Sequence, residues 1–207
     1  MAGCSGSSSN EPDVDKTDTP AQTESAGDKS SDAETAVVEG TPTDGGTLTI
    51  SSFSDIVSAN PLFIQDTSSG DAAFFMFANL YDLDRQGNVT AEPWSLASEK
   101  LEISDDGKTY TIKLKTTAKW SDGQPVTADD VVFTFNAIRD PNVASPGISQ
   151  FDKVDTIEKV DDHTVRVTLK QIYAPFQYVI ASAIVPAHVL KDVKPEELLK
   201  HPYGTDP

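Results

Sequence analysis

The 207-residue sequence contains a single cysteine, Cys4, and one thiol cannot build an internal disulfide framework. Basic residues are scarce: 16 Lys and Arg stand against 33 Asp and Glu, for a net charge of −17. That balance excludes a nucleic-acid-binding surface, because neutralising phosphates takes clustered cations. Only three histidines are present, His163, His188 and His201, and they share no motif. Nucleophile-elbow, zinc-protease, phosphate-loop and dinucleotide-binding patterns are all missing from the sequence. The chain therefore reads as a non-enzyme that needs no cofactor. Long apolar runs are also rare. Only residues 172–190 go nineteen positions without a formal charge, close to what a bilayer demands. Pro175 and Pro186 would break a lone spanning helix, so the expectation is a buried core helix followed by a loop.

What is present is unevenly distributed. Residues 1–46 hold ten carboxylates against Lys16 and Lys29, nearly half of the net charge, with no aromatic residue and almost no large aliphatic one. Such a stretch cannot bury enough apolar surface to offset the entropy of ordering, and it reads as an acidic, flexible tether. An acidic interaction tail is the competing reading. In front of it stands "AGCSGSSS", which resembles the end of a bacterial lipobox, where the cysteine, here Cys4, takes a lipid and becomes the mature N-terminus. A signal segment would precede that motif. Met1 takes the place of the usual aliphatic residue, so the expected start of the protein lies upstream.

Past the tether, residues 47–50 alternate as an entering strand does. "DAAFFMFANLYD" sets Phe74, Phe75, Phe77 and Leu80 at helical spacing with Met76 on the flank, which predicts a core-facing helix. Leu101 and Ile103 alternate before "SDDGK", and Tyr110, Ile112 and Leu114 alternate after it, so a hairpin turns at Asp106-Gly107. A second hairpin turns at Asp161-Asp162, with Val165, Val167 and Leu169 inward and His163 as an exposed turn residue.

The densest signals lie in "KWSDGQPVTADDVVFTFNAIRD". Trp120 closes the first hairpin's strand, Asp122-Gly123 reverses the chain, and Pro125 stiffens the approach to a helix. Thr127 is the N-cap, Asp130 completes a capping box and Asp129 favours the dipole. Val131, Phe135 and Ile138 form the buried face, and the helix stops before Pro141. Every residue has a structural task, so neither catalysis nor a calcium loop at Asp122, Asp129 and Asp130 is needed.

The block "LEISDDGKTYTIKLKTTAKWSDGQPVTADDVVFTFNAIRDPN" resembles the extracellular solute-binding proteins of family 5, the oligopeptide, dipeptide and nickel binders of ABC importers. "GGTLTI", "ANPLF", "ANLYD", "PWSLASE" and "DDHTVRVTLK" stand around it in the family's order. The resemblance implies an α+β fold, part of a type II, two-lobed periplasmic-binding-protein-like architecture, represented here by the first-lobe scaffold subdomain. Residues 1–46 would be the lipobox and tether, 47–200 the first strand and scaffold subdomain, and 201–207 the start of the return segment towards the hinge. Family members are more than twice as long, so an N-terminal fragment lacking the second lobe is expected.

The implied function is substrate binding for an ABC transporter, with short peptides as ligand and permease subunits as partners. Cys4 would anchor the protein on the extracytoplasmic face of the cell membrane, and no nucleic acid is involved. Nickel, haem or another small solute on the same scaffold is the alternative, as is a surface lipoprotein outside transport. Ligand contacts are implied in two loops, residues 55–63 and 144–151. The candidates are Asp55, Ser58, Asn60, Phe63, Ser145, Gly147 and Phe151, although Gly147 stands where some relatives carry a large side chain. Residues 51–58 would offer an extended edge for backbone pairing.

Overall fold

The computed structural model describes residues 45–47 and 49–205. Cys4 and the tether up to residue 44 lie outside the described residues. A compact unit begins at Thr49. Thr47, Thr49 and Ile50 carry no strand, contrary to the sequence expectation. A strand exists through its ladder, and among the described residues nothing pairs with them.

The centre of the unit is a four-stranded antiparallel sheet in the order β3-β4-β6-β5. Its strands are β3 (Glu102–Ile103), β4 (Thr109–Lys113), β5 (Val154–Asp161) and β6 (Thr164–Leu169). A separate small ladder joins β1 (Asp82–Leu83) to β2 (Val89–Thr90). Both hairpins of the sequence reading are present. The first turns at Gly107, whose φ of 68° suits a residue without Cβ. In the second, Val165, Val167 and Leu169 form the buried row. His163 departs from expectation: it is half-buried and its Nδ1 is enclosed without a partner among the described residues.

Helix α2 (Ala128–Arg139) covers the inner face of the sheet. Val131 and Phe135 are buried within the main core, whereas Ala137 belongs to a second core with Leu62, Phe63, Val185, Leu190 and Tyr203. The helix is thus the wall that both cores share. Its first turn is held as the sequence suggested, with Asp130 Oδ2 accepting from the Thr127 N–H at 2.8 Å and Asp129 exposed and paired with Lys159. Trp120, however, does not close β4. The strand ends at Lys113, and Trp120 opens a separate turn in which its N–H donates to Gln124 O at 2.8 Å and Gly123 takes φ 88°.

Two further expectations fail for identifiable reasons. Helix α1 (Thr67–Met76) buries Ser68, Ser69 and Ala73, while Phe74 and Phe75 are 66% and 71% exposed and pack edge to face on each other. The helix stops at Met76, and Phe77 takes an extended backbone. The helix presents Ser68, Ser69 and Ala73 as its buried face, which leaves Phe74 and Phe75 on the outer one, and the stop at Met76 takes Phe77 and Leu80 out of the helical repeat. Only Leu80 is fully buried, and Phe77 is partly so, against Tyr203. The apolar run 172–190 is only partly buried, with Phe176, Ile180, Ile184, Val185 and Leu190 inside and Ile172, Tyr178 and Val189 exposed, and it forms α3 (Phe176–Ile180), an irregular stretch and α4 (Ala187–Leu190) instead of one helix. Pro175 and Pro186 each sit at the N-cap of one of these short helices and set their limits. Among the described residues no helix is long and apolar enough to cross a membrane.

Turn carboxylates carry much of the local order. Asp66 caps α1 through the Ser69 N–H, Asp84 accepts from Asn88, and Asp106 from Ser104. These hydrogen bonds hold all three carboxyls below the ordinary 3.8. Asp161 is lowered by the His163 N–H and Asp162 by Lys159. A lowered folded pKa means that the unfolded chain binds protons first, so this stability is present above the ordinary pKa and is lost as pH falls through the folded values. The urea midpoint is therefore expected to fall once pH goes below about 4. A midpoint that stays level down to pH about 2 would contradict this account.

Candidate functional site

A pocket of about 370 Å³ opens where α1, α2 and three irregular segments meet. Its position follows from a set of hydrogen bonds between distant parts of the chain. Ala144 takes φ 56°, a left-handed conformation uncommon for a residue with Cβ, and turns Ser145 inward. The buried Ser145 hydroxyl donates to Leu62 O at 2.7 Å and accepts from the Gly147 N–H at 3.3 Å. This ties the 144–151 loop to the 3-10 turn Pro61–Phe63. On the opposite side, Thr134 Oγ1 accepts from the Val185 N–H at 3.0 Å and donates to Asp130 O at 2.7 Å. Leu80 N–H donates to Ser182 O at 2.9 Å, and Asn79 bridges to Ala183. The 179–183 segment is thereby fixed as the far wall.

The seven candidates from the sequence divide unequally. Ser145, Gly147 and Phe151 line the pocket. Phe151 is only 4% exposed and packs its ring against Phe135 and Phe176, at 5.2 and 5.9 Å between centroids, so it is the floor of the pocket and part of the core. Asn60 and Phe63 are buried. Asn60 Oδ1 accepts from the Leu62 N–H at 3.0 Å, capping the 3-10 turn, and its Nδ2 is enclosed without a partner among the described residues. Phe63 belongs to the second core. Asp55 is exposed, and Ser58 Oγ accepts from the Asn60 N–H at 3.1 Å.

Residues 51–58 form no strand. Ser52 and Ser54 bond to the Ser68 hydroxyl, and the Val57 and Ser58 N–H groups donate to Ser69 Oγ. The buried face of α1 thus takes up donors that an edge strand would offer to a ligand.

Sequence reasoning missed Gly70, Ala73, Phe74 and Thr134, together with the 179–183 wall. One signal was available: Gly70 sits inside a helical segment, where glycine is unfavourable. A second cavity of about 680 Å³ lies between Met76, Phe77, Trp120, Asp122, His188 and Tyr203. His188 Nε2 pairs with Asp122 Oδ2 at 2.8 Å there, and that pair, after the Gln124 N–H, helps hold the Asp122 carboxyl below the ordinary range. None of the seven candidates lines it.

Comparison with known proteins places this geometry in a family. Residues 90–207 match the model of the bacterial extracellular solute-binding proteins, family 5 Middle. The oligopeptide-binding protein AppA of Bacillus subtilis is 30% identical over 190 residues, covering 88% of this chain and 34% of that protein. Heme-binding protein A of Haemophilus influenzae is 32% identical over 170 residues, covering 70% of this chain and 30% of the relative. The crystal structure of the ABC transporter substrate-binding protein CtaP from Listeria monocytogenes superposes with a TM-score of 0.70 at 36% identity, covering 80% of this chain and 33% of that one. The chain spans about a third of the length of these relatives. The family match extends over more than half of the residues, and the chain belongs to the bacterial extracellular solute-binding proteins of family 5, which are binding proteins and not enzymes.

Proposed function

We propose that this chain contributes the ligand-facing side of a solute-binding protein that captures short peptides outside the cytoplasm for an ABC permease, anchored by lipid on Cys4. The observation that carries the reading is the pocket itself, where the 144–151 loop joins α1, the 3-10 turn and the 179–183 wall. The oligopeptide-binding relative supports a peptide ligand. The heme-binding relative supports the alternative of a haem or metal ligand, but the pocket walls offer no imidazole, thiolate or carboxylate to hold a metal ion. A peptide backbone asks only for hydrogen bonds and space.

The pocket is open to solvent on one side, so contacts within the 207-residue chain come from one face and ligand ordering is incompletely offset. Its expected Kd for di- to pentapeptides is about millimolar, equivalent to about 4 kcal/mol. Titration followed by backbone amide NMR is expected to shift the signals of Ser145, Gly147 and Ser182. Shifts confined to other surfaces, or none, would refute the peptide-binding assignment. For the anchor, the chain behind an export signal is expected to incorporate labelled palmitate, and Cys4→Ser to lose the label; equal labelling of both would refute it.

A further inference from the structure

The walls of the 370 Å³ pocket carry no charged residue. Leu62, Ile64, Phe74, Ile138, Phe151 and Val179 supply the apolar surface, Asn79, Gln150 and Ser182 are neutral polar side chains beside it, and the two buried hydroxyls, Thr134 and Ser145, already have partners within the protein. A charged group entering this space would give up part of its water and find no counter-charge on the walls, which is unfavourable. A bulky neutral group would exchange water for apolar contact. The volume is at the small end of the roughly 300–1,000 Å³ typical of small-molecule sites, suited to one large side chain and not to a whole extended ligand.

Two glycines set that volume. Gly70 lies within α1, where glycine weakens the helix relative to alanine. Packing does not require it: a Cβ there would meet only Ile64 Cγ2, at 3.8 Å, and the backbone is not in the left-handed region. Gly147 has φ −79°, open to any residue, and a Cβ there would touch Ile138 Cγ2 at 3.4 Å and Ser145 Oγ at 3.7 Å. Those neighbours line the pocket. At both positions glycine leaves space in the pocket that the fold itself does not need empty.

Resting on the binding role proposed above, we infer that this pocket selects an uncharged, bulky apolar side chain of the ligand, with Gly70 and Gly147 as the residues that fix its size. The probes are the N-acetyl amides of phenylalanine, leucine, lysine and glutamate, titrated into the 207-residue chain and followed by backbone amide NMR. The phenylalanine and leucine amides are expected to shift Gly70, Gly147 and Ser182, and the lysine and glutamate amides to leave them in place.

Gly70→Leu is expected to weaken the phenylalanine amide about tenfold or more, since its side chain occupies the same space. Its melting temperature should hold or rise, because leucine is the better helix former, which separates pocket filling from misfolding. Gly147→Ala should weaken the same probe by a smaller factor. Lysine or glutamate amides binding as well as phenylalanine, or Gly70→Leu binding phenylalanine unchanged, would overturn the inference. Run beside the peptide titration, the two ideas separate. Peptides that bind at the pocket without regard to side-chain charge would sink the selectivity and leave the function standing, whereas peptides that fail to bind there would sink the function.

Discussion

Replacing Asp130 by alanine is expected to lower the unfolding free energy by about 3 to 5 kcal/mol. Asp130 is 3% exposed, and among the described residues no cation pairs with its carboxylate. It is held by donors instead. Oδ1 accepts from the Ala187 N–H at 2.7 Å, and Oδ2 accepts from the Thr127 N–H at 2.8 Å and from the Trp120 indole N–H at 3.3 Å. Removing it would strand these donors where water has little access, and a buried unsatisfied donor costs about 1 to 3 kcal/mol. Asp130→Asn keeps one acceptor oxygen and should cost about half as much. The Thr127 hydroxyl reaches Asp130 only at 3.4 Å, so Thr127→Ala should cost about 1 kcal/mol at most. Urea unfolding of the three variants checks the order. A loss under about 1 kcal/mol for Asp130→Ala would mean that water replaces the carboxylate and that this junction is not what joins α4 to α2.

That residue also marks the limit of what could be read in advance. As the third helical residue after a threonine cap, Asp130 is recognisable from local sequence, and its bond to Thr127 was expected. Its bond to Ala187, 57 positions away, has no local signature. The two hairpins were legible because alternation and turn residues are themselves local. The aromatic run 74–77 was misread because the face of α1 that is buried carries Ser68, Ser69 and Ala73 rather than the rings of Phe74 and Phe75, and the helix ends at Met76, before Phe77 and Leu80. The loop 144–151 entered the reading through family resemblance, and its three candidates, Ser145, Gly147 and Phe151, line the pocket together with Pro146 and Gln150. The other walls come from separate segments whose small residues carry no pattern of their own. Gly70 was the exception, a helix-weakening residue that asked for an explanation. Family resemblance also pointed to Asp55, Ser58, Asn60 and Phe63, but none of them lines the pocket: Asn60 and Phe63 are buried in the fold, and residues 51–58 are tied down by Ser68 and Ser69.

Phe151 shows how the core and the site depend on one side chain. Phe151→Ala is expected to destabilise the protein by about 3 to 5 kcal/mol, the usual cost of truncating a buried phenylalanine. Its ring touches Phe135 of α2 and Phe176 of α3, and Phe176 in turn packs edge to face on Tyr110 of the sheet at 5.3 Å. Edge-to-face pairs add to the area term, so the loss should fall in the upper part of that range. Because the same ring floors the pocket, the truncation would also deepen it, and Phe151→Leu, which restores most of the volume, should recover more than half of the stability. The two roles give different results in one pair of measurements. If Phe151 were chiefly a ligand contact, alanine would abolish peptide shifts at Ser145 and Gly147 with little change in the urea midpoint. The packing predicts the reverse: a large fall in the midpoint, with peptide shifts persisting in whatever fraction remains folded, because a ring enclosed on its core side by Phe135 and Phe176 presents little surface to a ligand.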